Sequence, residues 1–294
     1  PTKPLNPKYK GVRYSAQQQT PEWPLHAISR EEMDEQLDTI RHELGCNAIY
    51  INAGRGYEDD LLECGRLAVE KGFERIYIQP AYMNLLIDET IELIGKFSER
   101  VTSLTDTSDA VVFSVGHEFY LETSGIIPGD NCWERMDYQL KNRDWRDKVN
   151  ANLPKIFKKL MPVLREKYPD RLIAYAAAIP EVDLVPWSDP ASESVCTDAY
   201  VMEAEGVTED WIFDHLSRLK RYGKPVHSSE AGCMTFSGAN EMGGVIPLNV
   251  WEGHPYNEDE QSKYVQRYCN LLNRARIDGY FYTCLLYTSD AADE

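Results

Sequence analysis

The chain has 294 residues, 43% of them hydrophobic, enough for one large core or two average domains. Its formal net charge of −17 argues against nucleic acid, whose phosphates would be repelled. It argues more weakly against anionic polysaccharides, since a local basic site can override the global sign. No apolar run approaches the ~20 residues that span a bilayer. The seven cysteines are scattered as singles, with neither metal-like nor disulfide-like spacing, which fits a reducing, cytoplasmic setting. The chain starts at Pro1 without an initiator methionine, so an upstream signal sequence and a secreted mature form stay open.

Strand-like and helix-like segments alternate from the start. Residues 9–16 read as a first strand. Ser29 and Glu32 form a capping box, and Met33, Leu37, Ile40 and Leu44 recur at helical spacing until Gly45. Residues 46–52 form a second strand, 61–71 a helix stopped at Gly72, 73–80 a third strand, and 85–101 a helix. The fourth strand spans 110–118. A long helical stretch fills 133–168, with Pro154 and Pro162 as points of kinking or division. Strand five is 171–178 and strand six 194–202. Residues 211–222 are a helix, strand seven ends at Glu230, 258–276 is a further helix, and 279–283 is strand eight.

Eight strands alternating with helices in under 300 residues point to a (β/α)8 TIM barrel in a single domain, residues 1–283. No Gly-rich phosphate loop follows strand one, which removes the usual dinucleotide reading. Residues 284–294 resemble translated adapter DNA from library preparation, so they are set aside as a non-native tail on an environmental, C-terminally truncated fragment. Five residues, 290–294, are too few for a helix to cover strands eight and one, and such a fragment is expected to aggregate.

Two glutamates end apolar strands on the face where barrel active sites lie. Glu118 closes Val111-Val112-Phe113-Ser114-Val115-Gly116-His117-Glu118. Glu230 closes Lys224-Pro225-Val226-His227-Ser228-Ser229-Glu230. Strict alternation puts Val112, Ser114, Gly116 and Glu118 on one face, and Val226, Ser228 and Glu230 on one face, with each carboxylate at the top of the barrel interior. Strands four and seven lie on roughly opposite sides of the ring, so the two carboxyls converge on one bond. That is the working arrangement of most glycoside hydrolases. Exposed strand-end charges are the bland alternative. Trp187 and Trp251 fall in catalytic-face loops and are candidate platforms for a sugar face. Glu122, Glu181, Glu203 and Glu205 are rival carboxylates near the same face. A zinc or iron site would draw on His117, Glu118, His227 and Glu230. His227, however, has the opposite strand parity to Glu230, and strand one carries no histidine cluster, so neither a metal nor a cofactor is expected.

The order of these motifs resembles a known pattern. An acid/base on strand four and a nucleophile on strand seven is similar to the large clan of retaining barrel glycosidases. More closely, Gly45-Cys46-Asn47-Ala48, Gly116-His117-Glu118 with Gly125-Ile126-Ile127-Pro128-Gly129, and Lys224-Pro225-Val226 through Glu230-Ala231-Gly232-Cys233 resemble a bacterial family labelled "abortive infection protein". The resemblance runs over nearly the whole chain. It implies a barrel O-glycosyl hydrolase acting on carbohydrate, with Glu118 as acid/base and Glu230 as nucleophile. It implies Tyr200, near the end of strand six, as a donor to Glu230. It puts His117 where the clan has an asparagine that contacts the sugar 2-hydroxyl. Strand two carries Tyr50 where relatives often have arginine. The label also admits a non-catalytic or signalling barrel in phage defence, and a metal-dependent barrel hydrolase is the third reading. Oligomeric state is not legible.

Overall fold

The structure is a computed structural model that describes residues 7–20, 23–244, 250 and 252–283. Trp251 and residues 284–294 lie outside the described residues. The chain enters on β1 (Tyr9–Ser15), then makes an antiparallel hairpin of β2 (Gln17–Thr20) and β3 (Trp23–Ala27) that stands outside the barrel. Seven further parallel strands follow: β4 (Ala48–Gly54), β5 (Arg75–Ala81), β6 (Val111–His117), β7 (Ile173–Ala177), β8 (Val195–Asp198), β9 (Val226–Ala231) and β10 (Gly279–Tyr282). β10 pairs with both β9 and β1, and the eight parallel strands close into the barrel expected from the alternation.

The helices are α1 (Arg30–Asp38), α2 (Glu58–Glu70), α3 (Ile87–Thr105), α4 (Phe119–Glu122), α5 (Cys132–Lys141), α6 (Trp145–Lys167), α7 (Glu209–Leu219), α8 (Ala239–Met242) and α9 (Glu258–Ala275). The capping box of α1 is present: Glu32 N–H donates to Ser29 Oγ at 3.2 Å, and Ser29 N–H donates to Glu32 Oε2 at 2.9 Å. Met33, Leu37 and Ile40 are buried, but Leu44 is exposed, because a single π-helical turn at Thr39–Glu43 rotates the helix end.

The long helical stretch is divided at residues 142–144, not at its prolines. Asn142 turns extended and its Nδ2 captures the Tyr138 carbonyl, closing α5. Pro154 and Pro162 sit inside α6, where the carbonyls they leave without a donor belong to the exposed Asn150 and Lys158. Between β7 and β8 only a 3-10 turn, Val182–Leu184, replaces a helix.

Two apolar layers hold the fold. The outer layer lies between sheet and helices. The inner one fills the barrel with Tyr9, Ala48, Tyr50, Tyr77, Val112, Ala174, Ala176 and Phe281. Tyr50 and Tyr77 stack at 4.8 Å between centroids, and Phe281 meets both edge-on. Buried hydroxyls need partners. Tyr50 shares a hydrogen bond with Ser114 at 2.5 Å, and Tyr77 donates to Glu193 at 2.8 Å while lying 2.9 Å from His227 Nδ1.

Candidate active site

Two β-bulges set the site. In β6, Ser114 pairs with Ala174 but His117 pairs with Ala176, so β6 carries one residue more than β7 over that interval. In β9, Ser228 and Glu230 pair with the consecutive residues Thr197 and Asp198, again one residue extra. A bulge reverses side-chain parity beyond it. This corrects the strict alternation expected for both strands. His117, which strict alternation would turn away from the face of Ser114 and Gly116, points into the barrel. His227, expected among the helices, lies inside against Tyr77 and Tyr9. Ser228, expected inside, instead meets Tyr268 of α9 at 2.6 Å. Glu230 faces inward as expected. Glu118 lies just past the strand in left-handed backbone, φ 33°, with its N–H donating to Ala176 O.

Beneath the Glu118 turn, Gly116 leaves room for the Phe119 ring: a Cβ there would lie 2.3 Å from Phe119 Cε1. Glu181 anchors the same turn from below. It is fully buried, and accepts from Tyr175 Oη, Ala178 N and Tyr120 N. Burial pushes its carboxyl up to about 8, against those hydrogen bonds. Arg135, also fully buried, ties the following loop through Leu121 O, Gly129 O and Asn84 Oδ1.

At the top of the barrel, four carboxylates surround two cations. Arg13 of β1 lies 2.8 Å from Glu230 Oε1, donates to Gln79 at 2.8 Å and covers the Tyr50 ring at 4.6 Å. His117 Nδ1 is 2.8 Å from Glu122 Oε1, and its Nε2 is 3.2 Å from Glu230 Oε1 and 3.3 Å from Asp198 Oδ2. Tyr200 donates to Glu230 Oε2 at 2.8 Å, although β8 ends at Asp198 and Tyr200 stands in the loop beyond. Ser229 Oγ donates to Asp198 Oδ1 at 2.9 Å. Carboxylates face both ring nitrogens of His117, which lies at the inward face where a substrate contact was expected.

The electrostatics separate the two glutamates. Burial would raise the Glu230 carboxyl, but Arg13, His117 and the Tyr200 hydroxyl hold it at about 2. Glu118 goes the other way: burial, Asp198, Glu230 and Glu181 raise it well above the carboxylate range, and His117 only partly offsets them. His117 is itself raised, since Glu230, Asp198 and Glu122 outweigh its burial and the repulsion of Arg13. His117, Glu118 and Asp198 offer donor atoms within 4.8 Å of one another, the spacing a cation would use. The carboxylates around His117 favour its protonated form, and a metal ion would have to displace that proton to bind.

The other expected residues fall elsewhere. Trp187 is 2% exposed; its Nε1 donates to Val182 O at 2.6 Å and its ring packs near Tyr175. The 3-10 turn folds this segment back so that the indole fills the outer core, and it is not a sugar platform. Trp251 lies outside the described residues. Glu203 pairs with Arg267 at 3.1 Å and Glu205 is exposed. A cavity of about 650 Å³ between the β5 and β6 loops is lined by Asn84, Leu86, Ser124, Pro128 and Asn152 among others, and by none of the carboxylates above. Arg13 and Asp198 were missed by the sequence reading. The available signal was a charged residue at an inward position of an otherwise apolar strand.

Several solved structures share this fold. A β-glucuronidase from Ruminococcus gnavus in complex with uronic deoxynojirimycin superposes with a TM-score of 0.60 at 14% identity, over 94% of this chain and 43% of that one. A Bacteroides uniformis β-glucuronidase superposes with a TM-score of 0.61 at 14% identity, over 95% of this chain and 30% of that one. The chain thus spans less than half the length of these enzymes. No family model and no curated protein matches its sequence. The chain is a (β/α)8 barrel of the fold these enzymes share, and among its described residues no helix is long and apolar enough to cross a membrane.

Proposed function

We propose that the chain hydrolyses an O-glycosidic bond with retention, using Glu118 as acid/base and Glu230 as nucleophile. The observation that carries this reading is the unequal surroundings of the two carboxyls. Glu230 has Arg13, His117 and the Tyr200 hydroxyl at 2.8–3.2 Å, while Glu118 lies within 4.8 Å of an Asp198 oxygen, surroundings that push Glu118 up and Glu230 down. One residue type then supplies an acid and a base at the same pH. The Glu118 proton goes to the leaving glycosidic oxygen as a Glu230 oxygen bonds to the anomeric carbon. Water then attacks that carbon, gives its proton to Glu118 and frees Glu230. Arg13, the His117 imidazolium and the Tyr200 hydroxyl keep Glu230 ionised between turnovers.

A panel of aryl glycosides tests this, and because the barrels of similar fold are β-glucuronidases, aryl glucuronides belong in it. Glu118→Gln and Glu230→Gln are each expected to remove most hydrolysis while leaving the melting transition in place. Azide should rescue each with the stereochemistry of its step. Unchanged turnover in either variant sinks the assignment. A wild-type chain inactive on the whole panel favours a non-catalytic barrel, such as one acting in phage defence.

A further inference from the structure

The candidate site holds more negative charge than its cations can balance. Arg13 and His117 supply two positive charges. Glu118, Glu122, Asp198 and Glu230 supply four carboxyls, all facing one another across His117 or Arg13. Three of them accept a named contact from a cation at 3.3 Å or less, and those contacts are unevenly shared. Glu230 takes Arg13, His117 and the Tyr200 hydroxyl; Glu122 takes His117 Nδ1. Asp198 is left with one side of His117 Nε2 and the neutral Ser229 hydroxyl, and it is 3% exposed. Glu118 accepts no such contact, and its carboxyl lies within 4.8 Å of an Asp198 oxygen. Two like charges this close, in a largely enclosed site, make ionisation of both unfavourable.

We propose that Asp198 is a positioning residue that keeps the proton on Glu118, the two carboxyls holding one proton between them at neutral pH. This rests on the reading of Glu118 as the acid. Asp198 need not touch substrate. Its negative charge, fixed by Ser229 and His117, makes loss of the Glu118 proton unfavourable until a leaving oxygen arrives to take it. After the first half-reaction, with Glu118 ionised, the same charge favours return of a proton from water. The charged groups acting most on Glu118 are His117 from β6, Asp198 from β8, Glu230 from β9 and Glu181 from the β7 loop, with the titratable Tyr120 of α4 and Cys132 of α5 also close. Only Asp198 adds negative charge without an evident role of its own as nucleophile or as an anchor of α4. Desolvation raises both carboxyls, and Asp198 raises Glu118 further, which agrees with a proton held at this pair.

The test uses Asp198→Asn and Ser229→Ala in the full chain. An asparagine oxygen can still accept from Ser229, so the fold has its hydrogen bond. A protonated-carboxyl infrared band, absent from Glu118→Gln, is followed from pH 4 to 9. In wild type the band should persist through pH 7. In Asp198→Asn it should vanish about one pH unit lower or more, by the relief of a neighbouring like charge. Ser229→Ala should give a smaller shift in the same direction. Where a substrate is turned over, the alkaline limb of kcat/KM should move with the band. A band that titrates identically in wild type and Asp198→Asn overturns the proposal, as does a kcat loss with an unmoved limb. The infrared titration runs without any substrate. Failure of the glycosidase reading would leave the band shift intact, and failure of this proposal would leave hydrolysis intact but its limb unmoved.

Discussion

Replacing Arg13 by methionine isolates the interaction that holds Glu230 ionised. Methionine keeps an unbranched apolar stem over Tyr50 but has no charge. Glu230 moves from the ordinary 4.5 to about 2 in the folded chain, a difference worth about 3 kcal/mol. Because the folded value is the lower one, that stability is present above about pH 4.5 and is lost as pH falls toward 2. Among the opposing contributions, the charge of Arg13 is the largest single one, ahead of the charge and the hydrogen bond of His117 and the Tyr200 hydroxyl. Without it, burial acts on Glu230 with much less opposition, and its carboxyl should rise toward or past the ordinary range. Removing one partner of a buried pair typically costs about 3–5 kcal/mol. The expected outcome is a variant less stable by about 2–3 kcal/mol at pH 7, seen as a melting point lower by roughly 3–5 °C. Melting curves of both proteins at pH 7, 5 and 3 are the assay. The gap between them should narrow as pH falls, since wild type loses the contribution that the variant never had. Where activity is measurable, the acid limb of kcat/KM should also rise by one to two pH units, about the size of the lost contribution. An equal melting deficit at pH 7 and pH 3 would mean that Arg13 acts only by packing, and the electrostatic argument would be wrong.

Two smaller perturbations probe the same machinery. Tyr200→Phe removes one hydrogen bond to the Glu230 carboxylate and should cost about 1.5–3 kcal/mol, read as roughly ten- to a hundredfold in kcat with a raised acid limb; an unchanged rate would remove Tyr200 from the site. Gly116→Ala drives a Cβ to 2.3 Å from the buried Phe119 ring, so a denaturant melt should report about 1–3 kcal/mol of lost stability, and kcat should fall further than in a surface variant of equal stability because Phe119 begins the turn that carries Glu118; wild-type stability would show that the ring moves freely.

The helices were legible because their signals are local. Ser29 and Glu32 are three residues apart, and the glycines at 72 and 223 each mark a stop that one turn of chain can enforce. The eight-strand count was legible for the same reason, from runs of apolar residues bounded by turns. The break at residues 142–144 was not, because Asn142 ends α5 through a side-chain bond to Tyr138 O, while the prolines in α6 free only carbonyls of exposed residues. Trp187 shows the same limit. Its position on the chain after β7 suggested a loop, and only the fold of the 3-10 turn makes it core.

The candidate site itself was half legible, and for a reason that alternation alone cannot supply. Strict parity puts Glu230 inside the barrel together with Ser228. The bulge in β9 sends Ser228 out and His227 in, yet leaves Glu230 inward, because the extra residue falls between them. In β6, parity puts Glu118 inside and His117 outside. The bulge turns His117 in, and Glu118 then leaves the strand in left-handed backbone that returns its carboxyl toward Asp198. Both glutamates thus stand at the expected tips, while His117, which bears on both of them, stands where parity forbids. A bulge adds one residue with no composition of its own, and its effect is felt only through partners on other strands: Ala176 on β7, Asp198 on β8 and Arg13 on β1. A regular β6 would keep a glutamate at the tip but would leave Glu230 without His117. The pair would then lose much of the difference that lets one carboxyl stay protonated while the other stays charged.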